Sequence, residues 1–156
     1  MPRYTHESIT VWWVTTLSSQ TSPTAAQINA GSNLTTFTPV DGVNIGGTRN
    51  NASQAMLGGA FVTEEPGTWG TTFELTFVRD DTTDTAWTTF ASAYKTAGFL
   101  VVRRVGTGNA SATQKVEVYP VRTHIPQMLA SAENEYSKFT VQFAVTAQPS
   151  LEATVA

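Results

Sequence analysis

The groups able to do chemistry are few and scattered. His6 and His124 are the two histidines of the 156-residue chain, and neither has a second metal ligand at a zinc-like spacing. His124 follows a strand-like segment, where hydrogen bonding suits it better than general-base work. A serine nucleophile would have to borrow one of these imidazoles, yet there is no G-x-S-x-G elbow. Glu64 and Glu65, with Glu74 and Glu117, supply the carboxylates a glycosidase pair needs. Adjacent loop glutamates are ordinarily just solvated, and strand glutamates ordinarily mark the wet side of a sheet. Gly106-Thr107-Gly108 begins like a phosphate loop, then places Ser111 where the third glycine belongs, with no helix after it. Asp80, Asp81 and Asp84 precede a helical pattern, so they read as complements to its macrodipole rather than metal ligands. Sequons at Asn33, Asn51 and Asn109 are near chance for a chain so rich in Thr and Ser. No catalytic constellation forms, and the expectation is no enzyme, no metal and no cofactor.

Composition points the same way. Charged residues are 13% of the chain and hydrophobic ones 40%, so the surface must be covered by uncharged polar groups. Threonine fills that role with 27 copies, and a β-branched side chain suits a pleated, half-exposed surface. A net charge of −3 argues against an electrostatically driven nucleic-acid binder. The absence of cysteine removes disulfides and thiolate chemistry. MPRYTHES has no apolar segment and reads as no signal peptide, and no apolar run has the length of a membrane span. One domain over residues 1–156 is expected.

The elements follow from pattern. Ile9 to Thr16 reads as a strand. Ser22-Pro23 opens a short helix, with Ser22 as N-cap and Gly31 closing it. Leu34 to Phe37 reads as a second strand. Residues 41–59 lose periodicity, with paired glycines and Arg49-Asn50 between anchors Ile45, Met56 and Leu57, and read as a long loop. Phe73, Leu75 and Phe77 alternate with Glu74 and Thr76, which predicts a one-faced strand. Trp87, Phe90, Ala91 and Tyr94 share the buried stripe of an amphipathic helix ended by Gly98. Phe99 to Val105 is apolar enough for a central strand. Phe139, Val141 and Phe143 alternate with Lys138, Thr140 and Gln142. The expected core is Phe73, Leu75, Phe77, Trp87, Phe90, Tyr94, Phe139, Val141 and Phe143.

In this order, ITVWWVTT, SPTAAQINAGSNLT, TFELTFVRD, GFLVVRRV, VEVYPVRTHIP and EYSKFTVQFAVTAQP resemble the major tail (tail tube) protein of long-tailed, non-contractile bacteriophages, particularly those of actinobacteria. The resemblance spans Ile9 to Pro149 and lies in the order of the pieces. It implies a mainly β fold: a ring-forming β-sandwich with one main amphipathic flanking helix and a short N-terminal one. It implies stacked hexameric rings in a virion tail, made in the bacterial host cytoplasm, with a lumen that conducts the genome without binding it specifically. Tape-measure, tail terminator and tip proteins would be the other partners, with no membrane. Residues 1–8 would form an N-terminal arm, 41–59 an inter-ring loop carrying Ile45, Arg49, Asn50, Met56 and Leu57, and 148–156 a C-terminal tail. Glu74, Thr76, Glu117, Thr140 and Gln142 would face the lumen, with Lys138 sharing their parity at one rim.

The tube protein of a contractile tail or a type VI-like machine is the nearest alternative. A carbohydrate-binding β-sandwich is the second, with Trp12, Trp13, Trp69 and Trp87 as stacking candidates. Trp87 fits the buried stripe of its helix and alternation turns one of Trp12 and Trp13 inward, which leaves Trp69, on a Pro-Gly turn, as the exposed candidate.

Overall fold

The computed structural model describes residues 9–156, and the expected N-terminal arm at 1–8 lies outside them. The described chain is nine antiparallel strands and two short helices, flanking a single sheet. The strands are β1 (Thr10–Val14), β2 (Ser32–Asn33), β3 (Val43–Ala55), β4 (Val62–Val78), β5 (Ala97–Arg103), β6 (Lys115–Thr123), β7 (Gln127–Met128), β8 (Lys138–Val145) and β9 (Ser150–Thr154). The sheet order is β2-β1-β5-β6-β8-β4-β3, with β7 paired to β8 and β9 paired to β6.

The enclosure of a sandwich comes here from one sheet curling over itself. In a flat sheet β1 and β8 would stand about 14 Å apart, three strand spacings. Yet the Trp13 and Phe143 rings are 6.1 Å apart, centroid to centroid. The inner face collects Val11, Trp13, Leu34, Phe73, Leu75, Phe77, Leu100, Val102, Tyr119, Val121, Phe139, Val141 and Phe143, closed by Ala86 and Phe90. Aromatic edges and faces interlock there: Phe90 lies 5.6 Å from Trp13 and 5.5 Å from Phe77. Strands β1, β5 and β6 are buried on both faces, so their sequences are continuously apolar rather than alternating. Their outer face carries Trp12, Val14, Val101, Val116 and Val118, covered by Ile28, Ala153 and Val155.

Helix α1 (Ala25–Ala30) starts two residues later than Ser22-Pro23 suggests, because Thr24 and Gln27 form a reciprocal capping box. Helix α2 (Thr85–Phe90) is only six residues. It stops well short of Gly98: Ala91 to Thr96 turn tightly, with Lys95 at φ 59. Asp84 does not cap it through its side chain. Its carboxylate instead pairs with the Arg79 guanidinium at 2.5 Å, which also lies 4.3 Å over the Trp87 ring. That clamp holds α2 over the open end of the core.

Gly98 belongs to β5, and its lack of a side chain is what matters. A β-carbon there would run into the Trp13 indole. The segment read as a strand at 34–37 is a 3-10 turn at Thr35–Phe37, after β2. The C-terminal tail is not loose either. Strand β9 pairs with β6, and the Ala156 carbonyl accepts from Ala25 N at 3.1 Å. Pro120 explains the break between β8 and β9. Its carbonyl accepts from Thr146 N, so the side of β6 without an N–H faces residues 146–149, where the ladder is interrupted.

Arg103 is 0% exposed and has no carboxylate among its hydrogen-bond partners in the described residues. Its guanidinium donates to the carbonyls of Gly108 (2.7 Å) and Asn109 (3.0 Å), to Gln114 Oε1 (2.9 Å) and to Thr10 Oγ1 (3.1 Å). Burial lowers its pKa. The loop between β5 and β6 is thus folded around a buried cation. Arg103→Lys, which keeps the charge and loses the fork, should destabilise the protein by about 2–3 kcal/mol. Urea unfolding checks this, and amide exchange should speed up first in residues 106–114. Gly98→Ala should cost about 1–3 kcal/mol through overpacking. The double variant with Trp13→Phe should lose less than the sum of the two single changes.

Candidate assembly surfaces

The stretch read as a loop at 41–59 is mostly strand. β3 and β4 pair from Val43↔Leu75 out to Ala55↔Val62, with a register shift between Arg49 and Asn51. Opposite that shift, Gly67 and Thr68 face Asn50, and Pro66, with no N–H to give, pairs with Asn51. The turn at 56–59 uses Gly58 at φ 84 and closes with Gly59 N donating to the Met56 carbonyl at 3.1 Å.

Only the base of this hairpin belongs to the body. Val43 and Ile45 pack against the inner core, and β8 pairs with β4 from Val78 no further than Thr72. Beyond Thr72 both strands leave the sheet, ten residues of β4 running out to Val62, a projection of roughly 30 Å. Along it both faces are exposed. Arg49 stands opposite Trp69, Asn50 donates to Thr68 Oγ1 and Asn51 to Glu64 Oε2, each at 3.1 Å. The tip presents Met56, Leu57, Phe61 and Val62 to solvent. An isolated two-stranded ribbon is marginal in water, and nothing else in the described protomer covers either face of this one.

A second surface lies on the outside of β4 and β8. The register sets Glu74 against Gln142, Thr76 against Thr140, Thr72 against Ala144 and Val78 against Lys138. Gln142 Nε2 donates to Glu74 Oε2 at 3.1 Å. Arg122 of β6 pairs with Ala144 and Gln127 of β7 with Thr140, on the same side. The face is therefore hydroxyl- and amide-rich, with one carboxylate and two cations rather than an acidic excess. Phe73, Leu75, Phe77, Phe139, Val141 and Phe143 occupy the opposite side and are buried.

Glu117 does not share the polar face. It has the parity of Tyr119 and Val121, which lie in the inner core, and it is paired with Arg104 at 2.5 Å. The Tyr119 hydroxyl also donates to Glu117 at 2.8 Å. Burial, then the adjacent carboxylate, push the Tyr119 pKa up, while Glu117 raises that of Arg104. β6 is buried on both faces over this stretch, so a polar residue in it does not mark the wet side.

Tyr94 also departs from expectation: it lies beyond α2, is 53% exposed, and lines a groove of about 210 Å³ with His124, Ile125, Gln127, Thr140 and Gln142. Trp87 is half-buried at the core's edge and Phe90 fully buried. Of the four tryptophans, Trp12 and Trp13 are buried, which leaves Trp69 as the one well exposed. His124 binds through its backbone, its amide donating to the Gln142 carbonyl at 3.0 Å. Among the described residues no cluster of three or more His, Asp or Glu could hold a metal. No helix among them is long and apolar enough to cross a membrane.

A search of curated proteins finds no match. A chain in the cryo-EM structure of the anti-feeding prophage baseplate, 6-fold symmetrised, is similar in fold, with TM-score 0.61 and 8% sequence identity over 94% of this chain and 93% of that one. The profile of the phage tail tube protein family matches residues 1–156. A curled antiparallel sheet, a bare projecting ribbon and a polar outer face are parts for assembly, and the match agrees: the chain belongs to the phage tail tube protein family, a structural component of the virion tail.

Proposed function

We propose that the chain forms hexameric rings that stack into the hollow tube of a long non-contractile tail, and that the genome passes down the lumen at ejection. The observation that carries this is the β3–β4 ribbon. Ten residues of β4 extend past the last β8 partner with neither face covered, which makes sense when another subunit supplies the cover. In this reading the ribbon spans from one ring to the next. Arg49 and Asn50 then lie along its shaft, Met56 and Leu57 at its tip, and Ile45 anchors its root.

The face bearing Glu74, Thr76, Thr140 and Gln142 lines the channel. Hydroxyls and amides wet passing phosphates without gripping them, and Glu74 offsets part of the attraction from Arg122 and Lys138. The tape-measure, terminator and tip proteins are the other partners of the tube. DNA is cargo, not a ligand.

Purified protein should form rings or uniform tubes by negative-stain microscopy. Excising residues 49–69 and closing the strands with an Asn-Gly turn should leave a cooperative melt within about 1 kcal/mol of the parent, since no buried side chain is lost. The same variant should stop tube growth at single rings; tubes of ordinary length would refute the inter-ring role. Glu74→Lys should assemble normally yet reduce infectivity in a complementation assay, with a larger loss at low salt. Unchanged infectivity would remove this face from the channel.

A further inference from the structure

The polar face is not uniform from end to end. Where β6 ends, Arg122 stands opposite Ala144 and Ala97, and His124 N donates to the Gln142 carbonyl at 3.0 Å. The turn after α2 returns to the same place. Lys95 N donates to the Thr123 carbonyl at 2.9 Å, and Thr123 N to the Thr96 carbonyl at 3.1 Å. Thr123 is buried; its hydroxyl donates to the Ala93 carbonyl and accepts from Thr96 N. That one side chain pins the turn at both ends. Tyr94, Lys95, Arg122 and His124 are thereby held together, and all four are exposed. The Tyr94 ring walls the groove that runs to Thr140 and Gln142, and the Lys95 ammonium lies 5.2 Å from its centroid.

The protomer itself accounts for neither cation. Lys95 has φ 59, a left-handed backbone that glycine or asparagine adopts with less strain, so the turn alone does not call for a lysine. The ion pairs among the described residues are Arg79 with Asp84 and Arg104 with Glu117. Lys95 and Arg122 therefore have no carboxylate partner there. Glu74, the carboxylate of this face, lies in the adjoining groove, hydrogen-bonded to Gln142 at 3.1 Å.

We infer that this cluster is a phosphate-contact site for the duplex DNA moving down the channel, a reading that rests on the tube function above. Lys95 and Arg122 each meet one phosphate, and the His124 ring and the Gln127 and Gln142 amides supply donors beside them. A duplex carries phosphates around its whole circumference, one charge per about 1.7 Å of axis. Every copy in a ring can thus meet one, whereas a single acidic peptide could satisfy one copy alone. Exposed, solvated cations form weak contacts that salt screens. A ring of them centres the duplex and still lets it move.

The test is binding of a short labelled DNA duplex to the purified, unassembled protein, followed by anisotropy over about 50 to 200 mM salt. Lys95→Asn, which suits the left-handed turn, is combined with Arg122→Gln; the melting temperature should not fall. Binding at the lower salt should weaken at least tenfold, and the slope of log K against log salt should flatten by about two. Lys115→Gln, beside β9, should change neither. Acetylation mapped by mass spectrometry should show the duplex shielding Lys95 and not Lys115. No duplex binding by the parent, binding that survives the double substitution, or shielding of Lys115 instead would overturn the site. Displacement of the duplex by an oligoglutamate peptide at equal charge would also overturn it, in favour of a seat for an acidic protein segment. Duplex binding as expected by a protein that never forms tubes would leave the site standing and remove the tube reading.

Discussion

The body of this protein depends on one contact, the Trp13 indole lying on the bare backbone of Gly98. With no β-carbon there, the indole can lie across β5, with its ring 5.6 Å from Phe90 and 6.1 Å from Phe143. That brings strands distant in the sheet order to the same point and forces the sheet to curl. Curling makes an inside, and α2, clamped by Arg79 through Asp84 and Trp87, closes it. It also turns the outer side of β4 and β8 into a continuous polar surface.

The other side of β1, β5 and β6 is closed by different means. Arg103 gathers a loop that has no regular structure of its own, using carbonyls where an acid might be expected. Spreading its positive charge over several dipoles avoids a second buried ion and its desolvation cost. Val155 and Ala153 then fill what remains. Thus the last strand, β9, and Val155 after it are part of the core packing, while β3 and β4 are sent outward as the hairpin.

How much of this was legible depended on whether one face alone was buried. Strands β4 near Phe73 and β8 alternate cleanly because one side packs and the other meets water, and the mainly β class follows from them. The outer hairpin buries neither face in the protomer, so its sequence has no period and reads as a loop. β6 buries both, so its pattern does not tell that Glu117 lies on the side of Tyr119 and Val121. Gly98 reads as a helix cap in sequence because its true reason, Trp13, lies 85 positions earlier in the chain. Tyr94 kept helical spacing, but the helix ends at Phe90. Local pattern reports local burial; it is silent on contacts made by distant chain or by another subunit.

The kink in the hairpin has a bearing on life before assembly. A long ribbon with open edges is a template on which further strands can add without limit. At Asn50 the ladder slips, and at Pro66 it lacks a donor, so the ribbon twists away from flatness at mid-length. An edge interrupted in this way is a poor template for a like ribbon. The same irregularity that bends the ribbon thus also spoils it as a strand partner for another free copy.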